Sequence, residues 1–181
     1  MFEISSLKLP QVYQKRSAST KDVQDSSKLR QYNIAMTVKN IGPEQAKDIL
    51  ESEGNSVYID VRTEQEFMNG HVPRSINIPV VWPDPATRQM KPNPDFVRVV
   101  SAHFAKDKRI IVGCQAGGRS QFAAELLAQD GFQDVSNMQG GFGGARDPMG
   151  RVIAPGWSQL GFPVETDVPP DSTYASLKNI G

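Results

Sequence analysis

The chain has 181 residues and one cysteine, Cys114, set in the stretch Cys114-Gln-Ala-Gly-Gly-Arg-Ser120. Cys114 directly follows the apolar run Ile110-Ile-Val-Gly113, which reads as a strand, and precedes a helix expected to start near Ser120. Two glycines let the intervening chain curl tightly, so that successive backbone N–H groups converge on one point. The helix contributes the positive end of its dipole, and Arg119 adds a full charge. Each of these elements favours a thiolate over a thiol. The same cradle suits an anionic adduct on the sulfur or the negative end of a substrate. Gln115, Ala116, Gly117, Gly118, Arg119 and Ser120 are therefore the candidate substrate-binding loop, and Cys114 the candidate nucleophile. The alternative is a small buried hydrophobe, as lone cysteines often are.

Composition narrows the remaining chemistry. Twenty basic side chains against 20 acidic ones leave zero formal charge, which gives no overall field for nucleic acid or an anionic membrane. The longest uncharged run, Val152–Val164, holds two prolines and two glycines and cannot span a bilayer as a helix. One cysteine excludes an intrachain disulfide framework and a Cys-rich zinc site, and His71 and His103 are the only histidines. Asp60 and Arg62 lie at the end of a neighbouring predicted strand. His103 falls in a helix before a Lys/Asp-rich turn and reads as a surface residue.

The elements that must hold this loop alternate between strand and helix patterns. Pro43 suits a first helical position, with Ala46, Ile49 and Leu50 on one face. Ser56–Val61 reads as a buried strand, and Thr63-Glu-Gln-Glu66 as a capping box opening a short helix that stops near Gly70. Ile76–Ile78 is a brief strand, and Pro79–Pro94, with five of the 13 prolines, is expected to be loop. Phe96, Val100 and Phe104 repeat at helical spacing. The pairs Phe122/Leu126 and Ala123/Leu127 mark a second helix, closed by Gly131. Asp134–Met138 is a last strand before the glycine-rich Gly140–Gly144. This order argues an α/β fold with a mostly parallel central sheet and helices on both faces. Residues 1–35, rich in Ser, Lys and Arg, read as an N-terminal extension, disordered or loosely docked. Residues 36–166 form the domain, and residues 167–181 an extended C-terminal tail.

Two separated signatures resemble those of the rhodanese family of sulfurtransferases. Cys114-x-x-Gly117-x-Arg119-Ser120 is similar to the family's active loop. Ile59-Asp-Val-Arg62, Glu66-Phe67, Gly70-His-Val-Pro73 and Ser75-Ile-Asn-Ile-Pro79 resemble its upstream signature in order and spacing. Gly140-Gly141 matches its later glycine pair, and the likeness covers about residues 38–166. The resemblance implies a rhodanese-like, single-domain thiosulfate sulfurtransferase in which Cys114 forms a persulfide. The sulfur comes from a donor such as thiosulfate and passes to a thiophilic acceptor, cyanide or a thiol, with no metal or organic cofactor. It implies that Asp60 and Arg62 brace the active loop, with Arg62 open to meeting an anionic substrate, the alternative being a purely structural pair. His71, a scarce histidine that could serve as a general base, is implied to be part of a structural Gly70-His71 turn. Arg119 is read as electrostatic support or a salt-bridged helix cap. Trp82 and Arg88 belong to a loop bordering the site mouth in this fold, as specificity residues or loop packing. Related phosphatases and arsenate reductases carry Cys-x5-Arg. The spacing here is Cys-x4-Arg, a tighter ring that suits a sulfur atom better than a phosphoryl group.

One departure touches the substrate rather than the fold. A Trp usually follows closely on the family's glycine pair. Here Phe142 stands near that place, and Trp157 follows an insertion that brings Arg146 and Arg151. That insertion is either a lid or docking loop or a neutral surface addition. The functional expectation is a sulfurtransferase acting on small-molecule sulfur donors and acceptors, with no nucleic acid or membrane partner. A persulfide relay or sensing module serving a protein acceptor is the second reading, and an idle binding domain the third. The expected compartment is the cytoplasm, or a mitochondrion or plastid if residues 1–35 are a transit segment.

Overall fold

The computed structural model describes residues 38–52, 54–87 and 89–179. The N-terminal extension expected over residues 1–35, and Arg88, lie outside these. Five strands form one sheet in the spatial order β1 (Lys39–Ile41), β7 (Asp134–Met138), β6 (Arg109–Gly113), β2 (Ser56–Asp60), β3 (Ile76–Asn77), and every neighbouring pair is parallel. The register aligns Asp60 with Gly113 and Val112 with Asn137. The ends of the three central strands therefore come level, and the segments that leave them meet on one edge.

Strand alternation explains the two cores. Ile59, Ile110, Val112 and Val135 point to one face, where α3 (Phe96–His103) and α4 (Gly118–Gln129) cover them with Phe96, Val99, Val100, Ala123, Ala124 and Leu127. Tyr58 and Ile111 point to the other face, against Ala46 of α1 (Pro43–Ser52), Met138 and Trp157. Helices on both faces and a parallel sheet are the expected architecture. The stripe Phe96/Val100/Phe104 packs as anticipated. In α4 the apolar face is narrower than its sequence suggests, for Phe122 remains 40% exposed while Ala123, Ala124 and Leu127 are buried.

Three segments differ from their expected form. Pro79–Pro94 contains an antiparallel hairpin, β4 (Val81–Pro83) with β5 (Met90–Pro92), not a plain loop. Pro83 and Pro92 sit at strand ends, where a missing N–H is tolerated, and the Asp84 carboxylate accepts the N–H groups of Ala86 and Thr87 to close the turn. The insertion before Trp157 is a second hairpin, β8 (Ala145–Arg146) with β9 (Val152–Ala154). Asp147 accepts from the N–H groups of Met149 and Arg151 at its tip. The segment after Asp167, expected to be extended, forms a 3-10 turn at Pro170–Ser172 and a helical turn, α5 (Tyr174–Leu177). Tyr174 and Leu177 join the first core cluster, and the Tyr174 hydroxyl donates to Asn93 Oδ1. Two apolar residues three apart are too little periodicity to announce a docked turn.

Candidate active site

The short helix α2 (Glu64–Met68) begins with the capping box read from the sequence: Thr63 accepts from the Glu66 N–H, and Glu66 accepts from the Thr63 N–H. Between β6 and α4 the loop from Cys114 to Gly117 turns back on itself. Gly117, at φ 102°, caps α4 in the left-handed region that a side chain would strain. Cys114 is 2% exposed, and its Sγ accepts the Gly117 N–H at 3.1 Å, with the Ser120 hydroxyl 3.4 Å away. Among the loop N–H groups it is that of Gly117 which reaches the sulfur.

The Gly140-Gly141 corner after β7 supports this loop from behind. Phe142 donates its N–H to the Cys114 carbonyl at 2.7 Å and Gly143 to that of Gln115 at 2.9 Å. Gly141 makes the approach possible, because a Cβ there would lie 2.2 Å from the Cys114 carbonyl oxygen. The second glycine signature is therefore a structural counterpart of the first: it brings backbone donors against the cysteine loop where any side chain would collide.

Asp60 and Arg62 form a buried pair under the same corner. The Arg62 guanidinium meets both Asp60 oxygens at 2.7–3.0 Å and donates to the Gly70 carbonyl at 2.7 Å. Its other face stacks on Phe142, 4.3 Å from the ring centroid. Asn77 donates to the carbonyls of Asp60 and Arg62, each at 2.9 Å, and so fixes the turn from the β3 side. With both side chains inaccessible, this pair holds the turn and Phe142 in place; the guanidinium, taken by Asp60 and the Gly70 carbonyl, is not placed to meet an anionic substrate.

Arg119 lies in the first turn of α4, and its fork is taken by Glu66: Nη1 reaches Oε2 at 2.8 Å and Nη2 reaches Oε1 at 2.7 Å. Burial pushes the Glu66 carboxyl up. The hydrogen bonds from Arg119 and Thr63 overcome that and hold it at about 2, below its ordinary 4.5. The same contact raises Arg119 against the opposing effect of burial, and the charges of Cys114 and Asp60 add to it. Of the two readings of Arg119, the geometry favours the salt-bridged one, within electrostatic reach of the sulfur. Glu66 thus completes the capping box of α2 and also holds Arg119 beside the cysteine loop, and only the first role was legible in the sequence.

Other candidates fall outside this cluster. His71 is buried, stacked on Phe67 at 3.9 Å, with Nδ1 3.0 Å from the Phe67 carbonyl and its backbone paired with Glu165. That is a structural turn. His103 is exposed, as its sequence position suggested, and its Nε2 lies 2.8 Å from the Leu177 carbonyl, a contact that ties α3 to α5. Trp82 packs near Tyr174, with ring centroids 6.0 Å apart. Among the described residues no cluster of three or more His, Cys, Asp or Glu side chains is placed to hold a metal ion, and no helix is long and apolar enough to cross a membrane.

Two residues were missed. Tyr58 lies over Gly113 with its hydroxyl where a side chain would begin, and burial, then the Asp60 charge, pushes that hydroxyl well above its ordinary range. Asn137 of β7 is 4% exposed and accepts from the Ser120 hydroxyl at 2.7 Å. A polar residue in a strand otherwise buried, next to the glycine pair, is the signal that would have drawn attention to it.

Comparison with known proteins adds to this geometry. The family model described as Rhodanese-like domain matches residues 42–146. The chain is 45% identical over 85 residues to thiosulfate sulfurtransferase 16, chloroplastic, of Arabidopsis thaliana, across 47% of this chain and 69% of that protein. It is 33% identical over 135 residues to thiosulfate sulfurtransferase 18 of the same plant, across 74% of this chain and 88% of that one. Among solved structures, Rv0390 from M. tuberculosis superposes with a TM-score of 0.60 at 25% identity, covering 72% of this chain and 98% of that chain.

Proposed function

The chain belongs to the rhodanese-like domain family, a family of sulfurtransferases, and from that premise we propose that Cys114 carries a sulfane sulfur from thiosulfate or a related donor to a thiophilic acceptor. The observation that carries the reading is the seat of the sulfur. Sγ is the focus of the Gly117 N–H, the Ser120 hydroxyl and the start of α4, a set of donors suited to an anion.

In the first half-reaction the Cys114 thiolate attacks the outer sulfur of thiosulfate. The new S–S bond forms as the old one breaks, and sulfite leaves with the electron pair. In the second, an acceptor thiolate or cyanide attacks the outer sulfur of the persulfide and Cys114 leaves as thiolate. The loop donors serve both steps by holding negative charge at Sγ. Gln115, Ala116, Gly117, Gly118, Arg119 and Ser120 shape the cradle, Glu66 fixes Arg119, and the Asp60–Arg62 pair braces the turn beside it. The plastid location in one relative's name favours an organelle over the cytoplasm for this chain.

Intact-mass measurement after incubation with thiosulfate tests the reading. The expected gain is one sulfur atom, about 32 Da, absent in Cys114→Ser and removed by cyanide. Sulfur accepted only from a protein persulfide donor would favour the relay reading. A Cys114-dependent hydrolysis of an aryl phosphate would overturn the argument from loop length.

A further inference from the structure

Behind the sulfur runs a chain of hydrogen bonds whose direction is fixed at its far end. The Glu125 carboxylate, which only accepts, takes the Gln121 Nε2 hydrogen at 2.8 Å, so Gln121 presents Oε1 to Asn137. Asn137 Nδ2 donates to that oxygen at 3.0 Å and to Asn40 Oδ1 at 2.8 Å, and Asn137 therefore turns Oδ1 toward Ser120. The Ser120 hydroxyl has one proton and three acceptors: Asn137 Oδ1 at 2.7 Å, the Gly117 carbonyl at 3.1 Å and Cys114 Sγ at 3.4 Å. Ser120 is fully buried, so no water replaces a partner it gives up.

We propose that Asn137 is a positioning residue for Cys114: by claiming the Ser120 proton it limits how firmly that hydroxyl can hold the sulfur anion. With the thiol protonated, S–H donates to Ser120 Oγ and Ser120 donates to Asn137, so every bond runs toward Glu125. When the sulfur is a thiolate or a persulfide anion, Ser120 can turn to it only by leaving Asn137 Oδ1 unpaired. The sulfur anion is thus less tightly bound than its donors would allow, and more nucleophilic. The inference rests on the reading of Cys114 as the reacting nucleophile. Its test follows the thiol directly, so a failure of Cys114 to take sulfur from thiosulfate or from a protein persulfide donor would sink that reading and leave this measurement intact.

The test is the pH profile of Cys114 alkylation by iodoacetamide, in which iodide leaves as the S–C bond forms, on the full chain, on two variants, and on Ser120→Ala with and without each of those changes. Asn137→Leu removes the competing acceptor. Asn40→Ala/Gln121→Ala leaves Asn137 in place but releases its Nδ2, so the amide can turn over and donate to Ser120. These three carboxamides line one cavity of about 430 Å³, where water can take up the groups set free. The double variant changes residues nearer the surface and guards against a folding defect in Asn137→Leu. In both, the pH of half-maximal alkylation falls by about 0.5 to 1 unit, the worth of one hydrogen bond, while the limiting rate at high pH falls about two- to threefold. In a Ser120→Ala background neither change has any effect, which a merely structural role for Asn137 would not produce. A midpoint that stays put or rises in the double variant, or a shift that survives loss of the Ser120 hydroxyl, overturns the proposal.

Discussion

Replacing Arg62 by Met removes one half of a pair whose side chains are only 3% and 2% exposed. Asp60 would then keep the backbone N–H of residue 62, at 2.9 Å, but lose the guanidinium that now meets both its oxygens. Stripping one partner from a buried pair costs about 3–5 kcal/mol, and the retained N–H places this case near the lower end, about 3 kcal/mol. Against a total stability of about 5–15 kcal/mol that is a large loss, about 6–12 °C in Tm for a domain of this size. Taking away both charges in Asp60→Asn/Arg62→Met removes the stranded carboxylate and costs less, about 1 kcal/mol. The consequence reaches the site, because the guanidinium stacks on Phe142 and the Phe142 N–H holds the Cys114 carbonyl. Persulfide formation therefore slows in Arg62→Met even where the protein is still folded. Urea denaturation at pH 7, followed by circular dichroism, reads the stabilities. An Arg62→Met protein within about 1 kcal/mol of the parent, or a double variant less stable than the single one, would refute the idea that burial makes this pair a brace.

Two further substitutions probe the cradle. Glu66→Gln keeps a residue able to close the capping box but breaks the ion pair with Arg119, at a cost of about 1 kcal/mol near neutral pH, because both groups are partly exposed. Since the folded carboxyl sits at about 2 and its ordinary value is 4.5, the pair's contribution is complete above about pH 4.5 and fades as the pH falls toward 2. The stability gap between parent and variant should narrow over that window in denaturation curves, and a constant gap would show that the pair is not its source. Gly113→Ala would set a Cβ 1.6 Å from the Tyr58 hydroxyl oxygen. Thermal unfolding should show a loss of about 1–3 kcal/mol or more, partly restored by trimming the ring in Tyr58→Leu, and a silent Gly113→Ala would mean that Tyr58 moves freely.

The alternation of short apolar runs and helical stripes was enough to anticipate the parallel sheet, because the central strands β2 and β6, buried on both faces, carry the continuous apolar runs Val57-Tyr-Ile59 and Ile110-Ile-Val112 whatever their neighbours are. The cysteine loop was equally legible: its glycines, its place at a strand end and the helix after it are local facts, and they stay local in the folded chain. So was the Thr63–Glu66 capping box, closed within four residues. Hairpins inside the proline-rich stretch and the insertion escaped notice, since two or three residues per strand leave no period to detect. The docked turn at Tyr174–Leu177 escaped for the same reason.

What the sequence could not decide was partnership across distance. Arg119 and Glu66 are 53 positions apart, and no pattern in either segment tells the guanidinium to turn to that carboxylate. Asn137 and Ser120 lie on different elements, joined only because the parallel register sets β7 beside β6 and beneath the start of α4. Gly141 reads in sequence as freedom, yet its role is to let one carbonyl come close. Local chemistry determined that Cys114 could be a nucleophile in a glycine-rich cradle. Tertiary contact decided which charges brace it and which proton it must share, because hydrogen bonds and ion pairs depend on separations of a few ångströms that only folding defines.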